Sequence, residues 1–241
     1  MLHKTRGIIL HHIKYGENSV IVYVYTREFG RQSYIINSIR SKKSPVRAGL
    51  LQPLFVLDLE VYFRESKTLQ RIKEITSFTP FHSIPVHPAK NAIALFLAEI
   101  LYKMLREEKP EEDLFDFLSN AIEFLDTTHL SPANFHLQFL VKLSRYLGFN
   151  PEDNYSGAHR FFDMRSGRFK AEKPAHKDYF APEFSSLLHD LINSDFVSCD
   201  KITMDRRRRA AFLDQLVRYY QIHNEGLGII RSLEVLKAVF D

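Results

Sequence analysis

Eleven histidines and one cysteine, Cys199, are the side chains from which a structural zinc site would usually be built. A structural zinc site needs four converging thiolates or imidazoles, usually as two close pairs, and no such spacing occurs here. His11 and His12 are neighbours in a strand-like run and so point to opposite faces. His159, His176 and Cys199 form the best remaining set, and scattered surface histidines are the plainer reading of them. Asp58 and Glu60 have the separation of a nuclease carboxylate pair, but they alternate with Leu57, Leu59 and Val61, which marks them as the wet face of a strand. Neither standard Gly-rich phosphate loop is present. The remaining chemistry is charge. Arg40, Lys42, Lys43 and Arg47 crowd one short segment, Arg27 and Arg31 lie just upstream, and no acid intervenes between Glu28 and Asp58. Such a set suits contact with a phosphate backbone, with Tyr34, Tyr23 or Tyr25 as stacking platforms for bases. A second run, Arg206, Arg207, Arg208 and Arg209, falls near an expected helix N-terminus, where the macrodipole disfavours cations. Two readings of it stand side by side: a functional cluster, or a solvated helix start partnered by Asp205 and Asp214.

Charge distribution points the same way. The net charge of the 241 residues is only +4, with a pI near 9.0. Residues 1–50 alone carry +7, however, and the remainder carries −3. A basic lobe on a mildly acidic body favours nucleic acid over a membrane as partner. The single cysteine fits a reducing compartment. The N-terminus lacks an apolar signal core. The most apolar helical stretch, residues 92–105, is interrupted by Glu99 and Lys103 and is too short to span a bilayer. The expectation is a cytoplasmic protein with no membrane partner.

The elements that must position these cations are predicted as follows. Apolar runs at 8–13, 20–26 and 32–39, separated by turns containing Gly16 and Gly30, read as antiparallel strands. Residues 56–63 and 69–78 add two more, joined by a hairpin turn at 64–67, with Pro53 at a strand edge or start. Five short strands suit a small Greek-key barrel such as an OB-fold; strand count alone leaves an SH3-like barrel open. The Pro-rich stretch 79–88 reads as the interdomain connection, giving a barrel domain over 1–79 and a helical domain over 80–241. Helical periodicity follows at 89–106, 111–126, 131–147, 183–193, 205–223 and 230–240. Ser131-Pro132 is the N-cap and first residue of the third helix, and Gly148 is its stop. Residues 149–182 form an irregular lobe with a short hairpin turning at Ser166-Gly167. The fold class is α+β.

Several motifs carry a family resemblance. Lys4 to Leu10, Tyr15-Gly16-Glu17-Asn18-Ser19 and Tyr25 to Gly30 resemble the N-terminal pattern of the RecO family of bacterial recombination mediators. The basic tract, Leu51-Gln52-Pro53-Leu54, and Lys67-Thr68-Leu69 followed by Glu74 continue it. Leu147-Gly148-Phe149-Asn150-Pro151, Tyr219-Tyr220 with His223, and Arg231 to Leu236 are similar to its later segments. Many relatives carry four zinc-binding cysteines after the Gly-Tyr-x-Pro step, and residues 154–179 here contain none. This chain is therefore expected to hold no zinc and no cofactor, its lobe being kept together by packing. The resemblance implies a non-enzymatic protein that binds single- and double-stranded DNA and anneals strands coated with single-stranded DNA-binding protein. It would engage the acidic tail of that protein, act with RecR, and through it help load RecA. The competing expectation is a helical adaptor whose basic barrel binds an acidic protein tail rather than DNA.

Overall fold

The computed structural model describes residues 1–37, 39, 46, 48–77, 80–106 and 109–240. It forms two compact units, residues 1–127 and 128–241. The basic segment's Arg40, Lys42, Lys43 and Arg47 lie outside the described residues.

The first unit opens with β1 (Leu2–Tyr15), β2 (Ser19–Thr26), β3 (Gly30–Ile36), β4 (Val56–Tyr62) and β5 (Leu69–Ser77). They close into a barrel in the order β1-β2-β3-β5-β4. All pairings are antiparallel except β3 with β5. This is an OB-fold. Strand β1 is longer than its apolar run because it serves two partners. Residues 2–8 pair with β4 and residues 7–15 with β2, across a bulge between Ile9 and His11. Lys4 and Arg6 break the apolar pattern because they sit on the outer face opposite Glu60 and Asp58. At the crossing, Gly7 leaves no room for a side chain, since a Cβ there would lie 2.5 Å from Val24 Cγ1 and 2.8 Å from Leu59 Cδ1. Inward residues alternate as expected for strands, with Ile9, Val22, Val24, Tyr34, Ile36, Leu57, Leu59, Val61, Ile72 and Ile75 forming the core. Pro53 lies in the turn before β4, where Leu54 N–H donates to Ile9 O at 2.7 Å.

Two helices complete this unit, α1 (Pro88–Met104) and α2 (Glu112–Thr127). The Pro-rich link ahead of α1 is fastened to the end of α2. Asp126 accepts from the backbone N–H groups of His82, Ser83 and Ile84 at 3.0, 2.9 and 2.8 Å. Lys90 Nζ donates to Ser83 Oγ at 2.9 Å and to Asp126 O at 3.1 Å. These bonds tie the link to α1 and α2, which lie with the barrel in the first unit.

The second unit contains α3 (Phe135–Tyr146), β6 (Phe161–Asp163), β7 (Arg168–Lys170), β8 (Tyr179–Phe180), α4 (Pro182–Ile192), α5 (Arg206–His223) and α6 (Ser232–Val239). Ser131 caps a short 3-10 turn that precedes α3, and Gly148 follows α3 at φ +80°. The irregular lobe contains the expected hairpin, with Gly167 at φ +67°, and a third strand, β8, pairs with β6. Aromatic packing holds the lobe. Phe162 lies between Phe169, Phe180 and Tyr219 at centroid distances of 5.0, 5.3 and 5.4 Å. The Tyr219 hydroxyl donates to Phe149 O.

Candidate nucleic-acid interface

The chain enters and leaves the basic segment from fixed points. Ile39 N–H donates to Asn18 O at 2.9 Å, beside the β1–β2 turn, and Val46 is buried in the barrel core. The cations between these points, with Arg47 just beyond, are those the sequence singles out most strongly.

The two upstream arginines belong elsewhere. Arg31 was expected to share the phosphate surface, yet its Nη1 donates to Tyr102 O at 3.0 Å and Leu105 O at 2.8 Å. These are carbonyls at the C-terminus of α1, where the macrodipole attracts a cation. The same guanidinium lies over the rings of Tyr102 and Tyr23, with its carbon 4.6 and 5.3 Å from their centroids. Burial lowers its pKa from the ordinary value, although arginine stays charged in proteins. Arg27 forms a two-pronged pair with Asp116 of α2, at 2.8 and 3.2 Å, with Glu112 at 3.7 Å. Both arginines expected to contact phosphate thus have partners inside the first unit. These arginines fasten the first two helices to the barrel.

The expectation that Tyr34 stacks on a base meets its burial. Tyr34 is 0% exposed inside the barrel, so its ring cannot receive a base. Burial pushes its hydroxyl well above the ordinary tyrosine pKa. Tyr25 is also buried and its hydroxyl is pushed up to about 12, by burial first and by Glu111 second. Tyr23 is half-buried among His11, Tyr102 and Arg31. Strand parity held the signal for Tyr34. It shares its face with Gln32 and Ile36, while Arg31 and Ser33 point the other way.

A different face of the barrel is acidic. Glu28, Asp58, Glu60 and Glu74 line a depression of about 430 Å³ with Lys4, Thr5, Arg6 and Leu59. Asp58 is exposed, and Glu60 pairs with Lys73 at 2.8 Å, as a solvated strand face would. The carboxylates outnumber the cations there, so this face repels phosphate.

In the second unit the four-arginine run divides. Asp205 caps α5 and accepts from Arg208 N–H at 2.8 Å. Arg209 Nε donates to Asn134 Oδ1 at 3.0 Å and its Nη2 to Met204 O at 2.9 Å, so it anchors the helix start. Arg208 reaches Glu183 O at 3.2 Å. Arg206 and Arg207 are exposed.

Of the residues weighed as metal ligands, each has a local role. His159 contacts Ser156 Oγ at 3.0 Å, and His176 lies 3.3 Å from Asp163. Cys199 is buried, and burial followed by Asp200 and Asp195 pushes its thiol up to about 11. Among the described residues, no group of three or more His, Cys, Asp or Glu side chains is arranged to hold a metal, and no helix is long and apolar enough to cross a membrane.

Comparison with known proteins supplies the rest. Residues 1–81 match the family description "Recombination protein O N terminal", and residues 85–229 match "Recombination protein O C terminal". The chain is 43% identical to the DNA repair protein RecO of Bacteroides fragilis and 41% identical to that of Phocaeicola vulgatus, each over the full length of both chains. It is 38% identical to that of Flavobacterium psychrophilum over 98% of each. With both halves matched in order and the relatives aligned end to end, this chain belongs to the RecO family of DNA repair proteins.

Proposed function

We propose that this protein binds single- and double-stranded DNA, anneals complementary single strands, and helps load a recombinase during recombinational repair. The barrel, residues 1–79, supplies the main phosphate contacts through Arg40, Lys42, Lys43 and Arg47. Arg206, Arg207 and Arg208 of the helical part add further ones. RecR and the acidic tail of single-stranded DNA-binding protein are the protein partners, and RecA is reached indirectly, in the cytoplasm at the nucleoid. The observation carrying this reading is the charge pattern. Four cations lie between Ile39 and Ala48, in a stretch free of acids from residue 29 to 57. The relatives' description as DNA repair proteins supports it.

The mechanism needs no covalent chemistry, cofactor or metal. Two DNA strands repel one another through their phosphates. Cations that neutralise part of that charge release condensed counterions and let the strands approach. Contacts made to the backbone rather than to base edges read no sequence, so the strands stay free to slide into register. The basic excess of residues 1–50 provides the neutralisation, and the acidic β1–β4–β5 face limits where on the barrel it can act.

The test is a salt titration with labelled single-stranded oligonucleotide. Changing Lys42 and Lys43 together to Ala should flatten the log–log salt slope by roughly 1.4, about 0.7 for each lost contact. Annealing should slow in parallel, and affinity should not depend on base composition. A double variant with an unchanged slope would remove this segment from the DNA site.

A further inference from the structure

The exposed side of α5 carries more than its arginine-rich start. Phe212, Leu213, Leu216, Val217, Tyr219 and Tyr220 define its buried face. Arg207, Ala211, Asp214 and Arg218 are exposed. Arg207 and Arg218 are eleven residues apart, about three full turns, so they share one face and stand about 16 Å apart along the axis. The acid between them is already neutralised, because Lys237 Nζ of α6 lies 2.7 Å from Asp214 Oδ1.

Arg218 does not stand alone. Its Nη2 lies 3.1 Å from Asp178 Oδ1, and the Nε and Nη2 of Arg165 reach Asp178 Oδ2 at 2.9 and 2.8 Å. Two guanidiniums on one carboxylate leave a net positive charge. Asp178 is itself fixed, since its N–H donates to His176 Nδ1 at 3.2 Å and its carbonyl accepts from Met164 N–H at 3.1 Å. Its side chain is only 12% exposed, whereas those of Arg165 and Arg218 are 58% and 55% exposed. The carboxylate thus holds both forks in place while most of each remains in solvent. Ordering a rotamer-rich side chain in advance lowers the cost of a later contact.

We propose that Arg165 and Arg218, aimed by Asp178 and continued along α5 by Arg207, form a phosphate-tracking stripe on the helical unit that holds a nucleic-acid backbone. A guanidinium fork matches the oxygens of a phosphate as it matches those of a carboxylate. Anchors about 16 Å apart on a straight helix suit a long, regularly charged polymer, which presents several phosphates over that span. An extended peptide of about five residues spans the same distance, but a nucleic-acid backbone carries a charge on every unit whatever its sequence. The proposal rests on the DNA-binding reading above and adds Arg165, Arg218 and Asp178 to it.

The experiment uses the full-length protein and a labelled oligo-dT, with Kd measured across a salt series. Arg165→Gln with Arg218→Gln should flatten the log–log slope by roughly 1.4, and Arg218→Gln alone by roughly 0.7. Arg165→Lys with Arg218→Lys, which keeps both charges, should retain most of the slope. An unchanged slope in the double Gln variant, with a flattened one in the Lys42→Ala/Lys43→Ala variant, would overturn the stripe and leave the DNA reading intact. Unchanged slopes in both would defeat the DNA reading and the stripe together. Loss of acidic-peptide binding with DNA binding retained would also overturn the assignment to nucleic acid. Should the double Gln variant fail to fold, Arg218→Gln alone decides, because it keeps the Arg165–Asp178 pair.

Discussion

Arg27 and Arg31 in the barrel unit and Arg207 and Arg218 in the helical unit are alike in composition and opposite in use. The first two turn toward their own unit, onto Asp116 and onto the terminal carbonyls of α1. The other two lie on the exposed face of α5, and Arg218 is steadied by a carboxylate that leaves it in solvent. A guanidinium is equally suited to a helix terminus, a carboxylate or a phosphate. What separates the roles is how much of each side chain the fold leaves in solvent, 30% of that of Arg27 against 55% of that of Arg218. The inward charges of the first unit should therefore govern stability, and the outward ones of the second should govern binding.

The largest expected effect tests the inward side at Asp126. Its removal would leave the backbone N–H groups of His82, Ser83 and Ile84 without their acceptor, so Asp126→Ala should cost about 3 kcal/mol or more, roughly 1 kcal/mol or more for each. Burial opposes the charge of Asp126, but the N–H groups of Ile84, His82 and Ser83 outweigh it and hold its pKa below the ordinary value. A carboxylate depressed in the folded state stabilises above its unfolded pKa of about 3.9 and loses that contribution as pH falls through the folded value. Urea midpoints of the wild type should thus fall at acid pH, and those of Asp126→Asn should fall less. Equal acid sensitivity would deny the carboxylate this role.

Next comes Arg31→Ala. It removes two hydrogen bonds from a charged donor to helix-terminal carbonyls, at a cost of about 1–3 kcal/mol, and thermal unfolding would register it. A variant as stable as wild type but weaker on DNA would reverse the comparison at this residue. The smallest stability effect belongs to Arg206→Glu with Arg207→Glu. Binding to DNA should weaken, while stability should hold or rise by a few tenths of a kcal/mol as the helix N-terminus gains anions. A clear loss of thermal stability would show that these side chains brace the fold instead.

How much of this was legible in the sequence depends on the range of the interactions. The barrel strands and helices α1 to α6 follow from local periodicity, and their ends differ by a few residues where neighbours intervene. Strand β1 runs to Leu2 because β4 pairs with its first half, which no apolar pattern in Lys4 and Arg6 announces. The partners of Arg27 and Arg31 lie 71 to 89 residues away, so their identity as helix fasteners was out of reach. Tyr34 is different, since its parity with Gln32 and Ile36 was in plain view. Arg31 and Tyr34 are three apart on one strand and could not both face the same ligand. Asp178, which gathers Arg165 and Arg218, carries no local signal because its partners are 13 and 40 residues away.

We propose that DNA meets the segment after β3 rather than the arginines that fasten the helices. The most direct test is one salt titration, with one oligonucleotide, of two double variants at a temperature where both are folded. Arg27→Gln with Arg31→Gln should keep the wild-type slope, whereas Lys42→Ala with Lys43→Ala should flatten it by roughly 1.4. A flattened slope in the first variant and a wild-type slope in the second would contradict the account.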